Sequence, residues 1–431
     1  MAKHPTSVFC ARSMALGAVL MLSCMVIGKI VIAPLFTDLG EASEQQVLGL
    51  VQESLATHSI FEPTQKDLLL ASAAAMIELL DDPYAAFIAP DAVREFKEES
   101  AGTQIGIGLM LNSAGQVVFS VPNSDAAAQG IAPGDTILEI DGEDVSSATV
   151  TELLPLLRGR QSTTVKLKLR NRHNEIYEVE VKRQQIPRRT VTDSRIIDER
   201  HGIAHISITS FASSTPKEFA AALQRLDRLG MQALILDLRF NLGGQLNDAV
   251  EVVSHFLQGE VVCKLRPHAG EEYLSYADLQ LSSHPSLPLV VLINELSASG
   301  SEIVAAALRD HQRATLMGTR TYGKGVFQKV LSFRDPDFAL KFTAGYYLTP
   351  NGEMIEGNIH ASDSVGGILP DVMLNAQSDE ARNAIQVWTN RLPVPKKDQA
   401  LVDELFPDFS TANPPDDSWL DAARDYLMSN K

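Results

Sequence analysis

On a scale of about 150 residues per domain, 431 residues make two to four structural units, and 45% hydrophobic with 21% charged side chains excludes a disordered, collagenous or polytopic membrane chain. Thirty-seven basic against 54 acidic residues leave a net charge of −17, which repels phosphate backbones and argues against a nucleic-acid partner. Of three cysteines, Cys10 and Cys24 fall in the N-terminal segment and only Cys263 in the body, so no intramolecular disulfide framework or CxxC metal site is available.

Lys3 and Arg12 precede an apolar run, Met14 to Gly28, which resumes after Lys29 as Ile30 to Phe36. A charged start before an apolar segment is the pattern of an export signal whose positive flank stays cytoplasmic. The run approaches the ~20 residues that span a bilayer, and no small-x-small site marks a cleavage point. Residues 1–38 therefore read as an uncleaved inner-membrane anchor that leaves a periplasmic body. Residues 39–101 read as helical: Val47, Leu48, Val51 and Leu55, then Leu69, Ala73, Met76 and Leu80, recur at helical steps. Leu80-Asp-Asp-Pro-Tyr84 ends the second helix, because Pro83 disfavours helical geometry at Asp82.

Residues 102–187 change texture to short β runs: Val117–Val121, Thr136–Ile140, Val165–Arg170 and Tyr177–Lys182. Ser124–Gln129 and Val150–Leu157 between them have helical character. Gly130-Ile-Ala-Pro-Gly-Asp135, a strand, then Asp141-Gly142 resembles the G-x-x-P-G-D-x-I-x-x-I-D-G signature of the bacterial protease-associated PDZ domain. Such domains add a C-terminal peptide to a sheet edge and hold its carboxylate on backbone amides. The resemblance points to Ile105, Gly106, Ile107 and Gly108 as the carboxylate-binding loop, with Arg158 after the second helix as a sensor of occupancy or a local ion pair.

Residues 188–380 alternate strand and helix: strands at Gly202–Ile208, Ala233–Leu238 and Leu289–Ile293, helices at Thr215–Leu229, Leu246–Leu257 and Ser299–Asp310. Residues 381–431 read as a helical tail. After the third strand, Asn294-Glu-Leu-Ser-Ala-Ser-Gly-Ser-Glu-Ile303 puts small polar residues at a helix start, where free N–H groups can stabilise an oxyanion. Ser299-x-x-Glu302 is also a capping box, which accounts for the pattern without chemistry. Downstream lies Thr321-Tyr-Gly-Lys-Gly-Val-Phe-Gln328. If it is a strand, Lys324 and Gln328 share a face. A lysine serves as a base when burial lowers its pKa.

Together these segments resemble the carboxyl-terminal processing proteases, Ser-Lys endopeptidases that carry an inserted PDZ domain. The resemblance implies Ser299 in Ser297-Ala-Ser-Gly-Ser-Glu-Ile303 as nucleophile, Lys324 in Gly323-Lys-Gly as base and Gln328 as its orienter. Asp237-Leu-Arg-Phe-Asn-Leu-Gly-Gly244 matches the family's glycine turn, whose amide, placed at Gly243 with Gly244 as the alternative, would join the Gly300 N–H as the oxyanion hole. Leu242 stands where the family often has proline and Gly300 where it often has alanine, departures expected to weaken activity modestly. Leu80–Tyr84, Tyr346–Gly352 and Gly367–Asp371 are further matches, read as structural.

The fold implied is multidomain α+β: a ClpP/crotonase-like α/β protease core with an inserted β-rich PDZ domain and flanking α-helical segments. The activity implied is cleavage of proteins bound through their C-terminal tails in the bacterial cell envelope, without metal or other cofactor, with a homodimer or adaptor protein as further partners. His201-x-x-x-His205 has zinc-ligand spacing, but it sits in a strand pattern and lacks the HExxH glutamate. The competing reading is a catalytically weak or inactive PDZ-containing scaffold.

Overall fold

The computed structural model describes residues 43–100, 103–187, 189–357, 366–375, 377–390, 394–406 and 415–429. The N-terminal apolar segment, with Cys10 and Cys24, lies outside them. Among the described residues no helix is long and apolar enough to cross a membrane. The chain divides into two units, Met1–Ala73 and Ala74–Lys431.

The first unit holds α1 (Glu44–His58) and most of α2 (Gln65–Glu78). Gln46 Oε1 accepts the Ser43 N–H at 2.9 Å and so satisfies a donor at the start of α1. Gln52 Nε2 reaches Ser72 Oγ at 3.4 Å and ties the two helices.

The second unit opens with β1 (Ala86–Ile88) and α3 (Val93–Ser100), then the β-rich region. This comprises β2 (Thr103–Gly106), β3 (Leu109–Leu111), β4 (Val117–Ser120), α4 (Asp125–Ala128), β5 (Thr136–Ile140), β6 (Glu143–Asp144), α5 (Val150–Leu157), β7 (Thr164–Arg170), β8 (Ile176–Lys182) and β9 (Gln184–Pro187). Strands β6-β5-β7-β8 form one sheet, while β2 pairs with β9 and β3 with β4. Alternation drives β7: Val165, Leu167 and Leu169 are fully buried while Lys166 points to solvent. Asp135 closes the glycine-proline turn by accepting the Ala132 N–H at 2.9 Å and the Tyr177 hydroxyl at 2.5 Å.

The α/β region contains β10 (Val191–Asp198), β11 (Ile203–Ile208), α6 (Thr215–Arg228), β12 (Ala233–Asp237), α7 (Leu246–Ser254), β13 (Val261–Pro267), β14 (Tyr273–Tyr276), β15 (Leu289–Ile293), α8 (Gly300–Asp310), β16 (Thr315–Gly318), β17 (Val326–Arg334), β18 (Asp337–Leu348) and β19 (Val372–Met373). Three helices follow: α9 (Asp379–Asn390), α10 (Gln399–Leu405) and α11 (Ser418–Ser429). The main sheet runs β10-β11-β12-β15-β16-β19, parallel except for β10.

Strand β12 shows why this sheet sits between layers. Leu234 and Leu236 pack with Phe219, Val252 and Val304 of the helices on one face, and Ala233 and Ile235 with Trp419, Ala423 and Leu427 of α11 on the other. Burial on both faces is the habit of parallel strands, and each leucine so placed contributes about 1.5–3 kcal/mol relative to exposure. A second sheet, β1-β18-β13-β14 with β17 on β18, stands beside it. Strand β17 begins at Val326, so Lys324 precedes the strand. The alternation expected to put Lys324 and Gln328 on one face does not apply, because Lys324 and Gly325 lie before the strand and the pairing with β18 shifts register between Phe327 and Gln328.

Candidate active site

Three serines follow β15, and their surroundings separate them. Ser297 is buried and donates to the Leu238 carbonyl at 2.8 Å; Ser301 is buried and donates to the Asn241 carbonyl at 2.9 Å. Both hydroxyls are consumed in holding the loop. Ser299 is half-buried at the N-cap of α8, with φ +54° and ψ −113°. This conformation is costly for a residue with a Cβ, and it persists only where surrounding bonds enforce it.

The enforcing group is Glu302, a fully buried carboxylate. Its Oε2 accepts the N–H of Ser299 at 2.7 Å and of Lys324 at 2.9 Å; its Oε1 accepts the N–H of Gly323 at 2.7 Å and the Thr321 hydroxyl at 2.6 Å. Two amides bonded to one oxygen are neighbours, so Glu302 brings the serine turn and the lysine loop together across 25 residues of sequence. Burial pushes the Glu302 carboxyl up while the four hydrogen bonds pull it down, with burial the larger influence. The Ser299-x-x-Glu302 spacing marked this glutamate only as a cap; its bonds to the lysine loop are a tertiary fact.

Burial, then the nearby Lys341 ammonium, lowers the Lys324 pKa, opposed by the charges of Glu356, Glu302 and Asp82. The Lys324 ammonium lies 4.6 Å from the centroid of the Tyr84 ring, a cation–π distance. Tyr84 is fixed there by its neighbour: Asp82 accepts the Tyr84 N–H at 2.9 Å and binds Thr343 of β18 through its N–H at 2.8 Å and hydroxyl at 3.1 Å. The Leu80–Tyr84 segment, read from sequence as structural, thus also supplies a ring at the lysine. Gly325 packs so closely on the backbone of Glu356 that an added Cβ would fall 2.1 Å from its nitrogen. Gln328 pairs with Thr343 across β17 and β18, and its carboxamide donates to Val326 O at 3.4 Å rather than reaching Lys324.

The glycine turn lies directly against Ser299. A Cβ on Gly243 would come 2.8 Å from the Ser299 Cβ and 2.9 Å from the Gly300 nitrogen. The Gly243 N–H, however, donates to Asn241 Oδ1 at 2.8 Å, which occupies the donor named first in the sequence reading. At the other glycine of the turn, the Gly244 nitrogen lies 3.6 Å from where a Gly300 side chain would begin. The same position explains the departure from alanine, because a Cβ at Gly300 would press to 3.1 Å of the Phe211 ring. Leu242 is exposed.

Behind the turn runs a buried charge network. Arg239 grips Asp237 at 2.6 Å and Asp417, just before α11, at 2.9 and 2.6 Å. Asp417 also accepts the N–H groups of Trp419 and Leu420 at 3.2 Å. His205 sits between Asp193 at 3.1 Å and Asp237 at 3.2 Å. Burial opposes its charge, but the two carboxylates outweigh it and raise the imidazole to about 9. His201 pairs with Asp198 at 3.0 Å. Both histidines of the zinc-like spacing are thus engaged by carboxylates, and among the described residues no cluster of three potential ligands could hold a metal.

In the β-rich region, Ile105 and Gly106 end β2, and Ile107 and Gly108 lead to β3. Gly108 requires glycine: φ is +83° and an added Cβ would fall 2.3 Å from Ser124 Cβ, whereas Gly106 has open space. The Ile105 N–H already binds a carboxylate, Glu98 Oε2 at 3.0 Å. Arg158 is exposed and pairs with Glu95 of α3 at 3.0 Å. The arginine that the sequence reading missed is Arg183, buried and bonded to the carbonyls of Leu156 at 3.0 Å and Leu157 at 3.1 Å, where it closes the C-terminal end of α5.

The model of peptidase family S41 matches residues 202–374, and that of the PDZ domain residues 117–171. A CtpA-like serine protease of Staphylococcus haemolyticus is 31% identical over 303 residues, 69% of this chain and 58% of that protein. Its counterpart in Staphylococcus aureus strain N315 is 31% identical over 314 residues, 72% of this chain and 60% of that protein. The chain therefore spans about three-fifths of the length of these relatives. Among solved structures, a photosystem II D1 C-terminal processing protease aligns with TM-score 0.45 and 24% identity, covering 78% of this chain and 94% of that one. Residues 202–374 thus carry the signature of peptidase family S41, and residues 117–171 ahead of them that of a PDZ domain.

Proposed function

We propose that the chain is a serine endopeptidase of the bacterial cell envelope that binds proteins by their C-terminal tails and cleaves them with Ser299 and Lys324. One observation carries this reading: a single buried carboxylate, Glu302, binds the amides of both residues. Among the described residues, Ser299 is also the one of the three serines whose hydroxyl donates to no backbone carbonyl.

Neutral Lys324 takes the Ser299 hydroxyl proton as the oxygen attacks the scissile carbonyl carbon. Negative charge then builds on the former carbonyl oxygen, which the Gly300 and Gly244 N–H groups receive at the positive end of α8. The tetrahedral intermediate collapses, Lys324 returns the proton to the leaving amine, and water releases the acyl group by the same steps. Burial lowers the Lys324 pKa and so makes the neutral amine more accessible than in a free lysine, and Gln328 serves as orienter once its carboxamide turns from Val326. The parallel run β11-β12-β15-β16, with the nucleophile following β15, supports a ClpP/crotonase-like core. The export-type pattern of residues 1–38 supports an inner-membrane anchor and a periplasmic body. A homodimer or an adaptor would complete the assembly.

The test is cleavage of an unfolded protein with an apolar C-terminal tail by the full chain, with products read by intact mass. Wild type is expected to cut; Ser299→Ala and Lys324→Ala are expected to lose at least about a thousandfold. A serine-reactive probe should label Ser299 in wild type and fail in Lys324→Ala. Equal labelling in both, or cleavage by Ser299→Ala, would remove the Ser-Lys assignment.

A further inference from the structure

A cavity of about 750 Å³ lies between the PDZ domain and the peptidase region. This volume is typical of ligand pockets, which favour such junctions. Phe119 of β4, Val191 of β10 and Val394 supply apolar lining, and none of residues 105–108 takes part.

The charged lining is nearly of one sign: Arg189, Arg225, Arg228 and Lys396 against Glu218 alone. Glu218 is spent elsewhere, its Oε2 accepting the N–H groups of Thr190 at 2.9 Å and Val191 at 3.0 Å. Arg225 is held by the carbonyl and hydroxyl of Ser194. The carboxylates next in sequence are engaged too: Asp227 approaches His284 at 3.1 Å and Asp398 approaches Lys397 at 3.9 Å. Arg189, Arg228 and Lys396 are exposed, and none forms an ion pair with a described residue. On a chain of net charge −17, three uncompensated cations around an apolar hollow reverse the local sign, and low-dielectric walls focus the field of such a cleft.

We propose that this cleft is a second peptide site, which takes an acidic segment with interspersed apolar side chains from a partner or substrate protein. Its carboxylates pair with Arg189, Arg228 and Lys396, and its apolar side chains settle on Phe119 and Val394. Arginine-rich clusters recognise acidic segments in this way. The hollow is concave, which suits an inserted peptide better than a membrane surface. A segment seated there touches β4 of the PDZ domain and α6 of the peptidase region together. Binding requires no hydrolysis, so the inference stands apart from the Ser-Lys mechanism.

The experiment titrates full-length Ser299→Ala, held in detergent, into a fluorescent peptide of alternating Glu and Leu with an amidated C-terminus. Anisotropy is expected to show saturable binding that weakens at high salt. The double variant Arg228→Glu, Lys396→Glu, in exposed positions, is expected to weaken binding about tenfold or more with thermal unfolding unchanged. A Lys-for-Glu peptide is expected not to bind, and an uncharged peptide with a free apolar C-terminus not to compete. Absence of saturable binding, unchanged affinity in the double variant, equal binding of the basic peptide, or competition by the C-terminal peptide would overturn the proposal. Displacement by vesicles of anionic lipid would also overturn it, by assigning the cations to a membrane surface.

Discussion

In the peptidase region Glu302 accepts four hydrogen bonds and is sealed from solvent, whereas beside the PDZ loop Glu98 accepts one from Ile105 and leaves its other oxygen buried without a hydrogen bond, 3.5 Å from Arg94. Both carboxylates hold backbone amides at a site where a ligand group is expected. The first is fully satisfied, so any shift of Ser299 or Lys324 strands a buried donor. The second is half satisfied, so a peptide carboxylate can replace it at little cost. Complete satisfaction makes a rigid frame around Ser299 and Lys324; partial satisfaction leaves the loop at Ile105 exchangeable.

The largest effect expected from this contrast follows Glu302→Gln. Its amide NH2 would confront two donors already aimed at the carboxylate, costing about 3 kcal/mol of stability and at least about tenfold in turnover. Denaturant unfolding and kcat check this, and a variant with wild-type values for both would break the comparison. Next, Asp417→Asn leaves Arg239 with a single carboxylate partner behind the oxyanion turn and should cost about 3 kcal/mol, again read by denaturant unfolding. An unchanged midpoint would show that α11 does not brace the turn.

Tyr84→Leu removes the ring that stabilises the Lys324 ammonium. The proposed mechanism needs the neutral amine, so a lower lysine pKa moves the acidic limb of kcat/KM to lower pH, by up to about one unit, while Tyr84→Phe should stay in place. A shift to higher pH would mean that the ring serves to exclude water. The smallest effect is expected of Glu98→Ala, which vacates the Ile105 N–H and should tighten binding of an apolar C-terminal peptide about threefold by titration calorimetry. Weaker binding would make Glu98 a scaffold of the loop rather than a stand-in for the ligand.

How much of this was legible varies with how local the cause is. The strands Leu289–Ile293 and Val165–Arg170 and the helix Thr215–Arg228 follow from apolar periodicity, since burial of one face or both is written in neighbouring residues. The hairpin β17–β18 was harder to read. From Lys329 to Arg334, β17 is exposed on both faces, so no two-residue alternation marks it, and its pairing with β18 carries the order instead. The glycine turn shows the same limit: Gly243 and Gly244 look equivalent as letters, and the Asn241 side chain, two residues from Gly243, takes the amide of that one.

By itself, the sequence determined the order of the elements, the PDZ and peptidase signatures and the residue types available for chemistry, because propensity, periodicity and turn chemistry act over a few residues. Tertiary structure alone decided which serine hydroxyls are spent on carbonyls, that Glu302 gathers Ser299 and Lys324 on one oxygen, that Tyr84 lies on the lysine, and that Asp417 reaches Arg239 from 178 residues away. Each of these depends on where a buried polar group finds its partner. In a medium that leaves few such groups unpaired, that choice is made by the packed fold and not by the neighbouring chain.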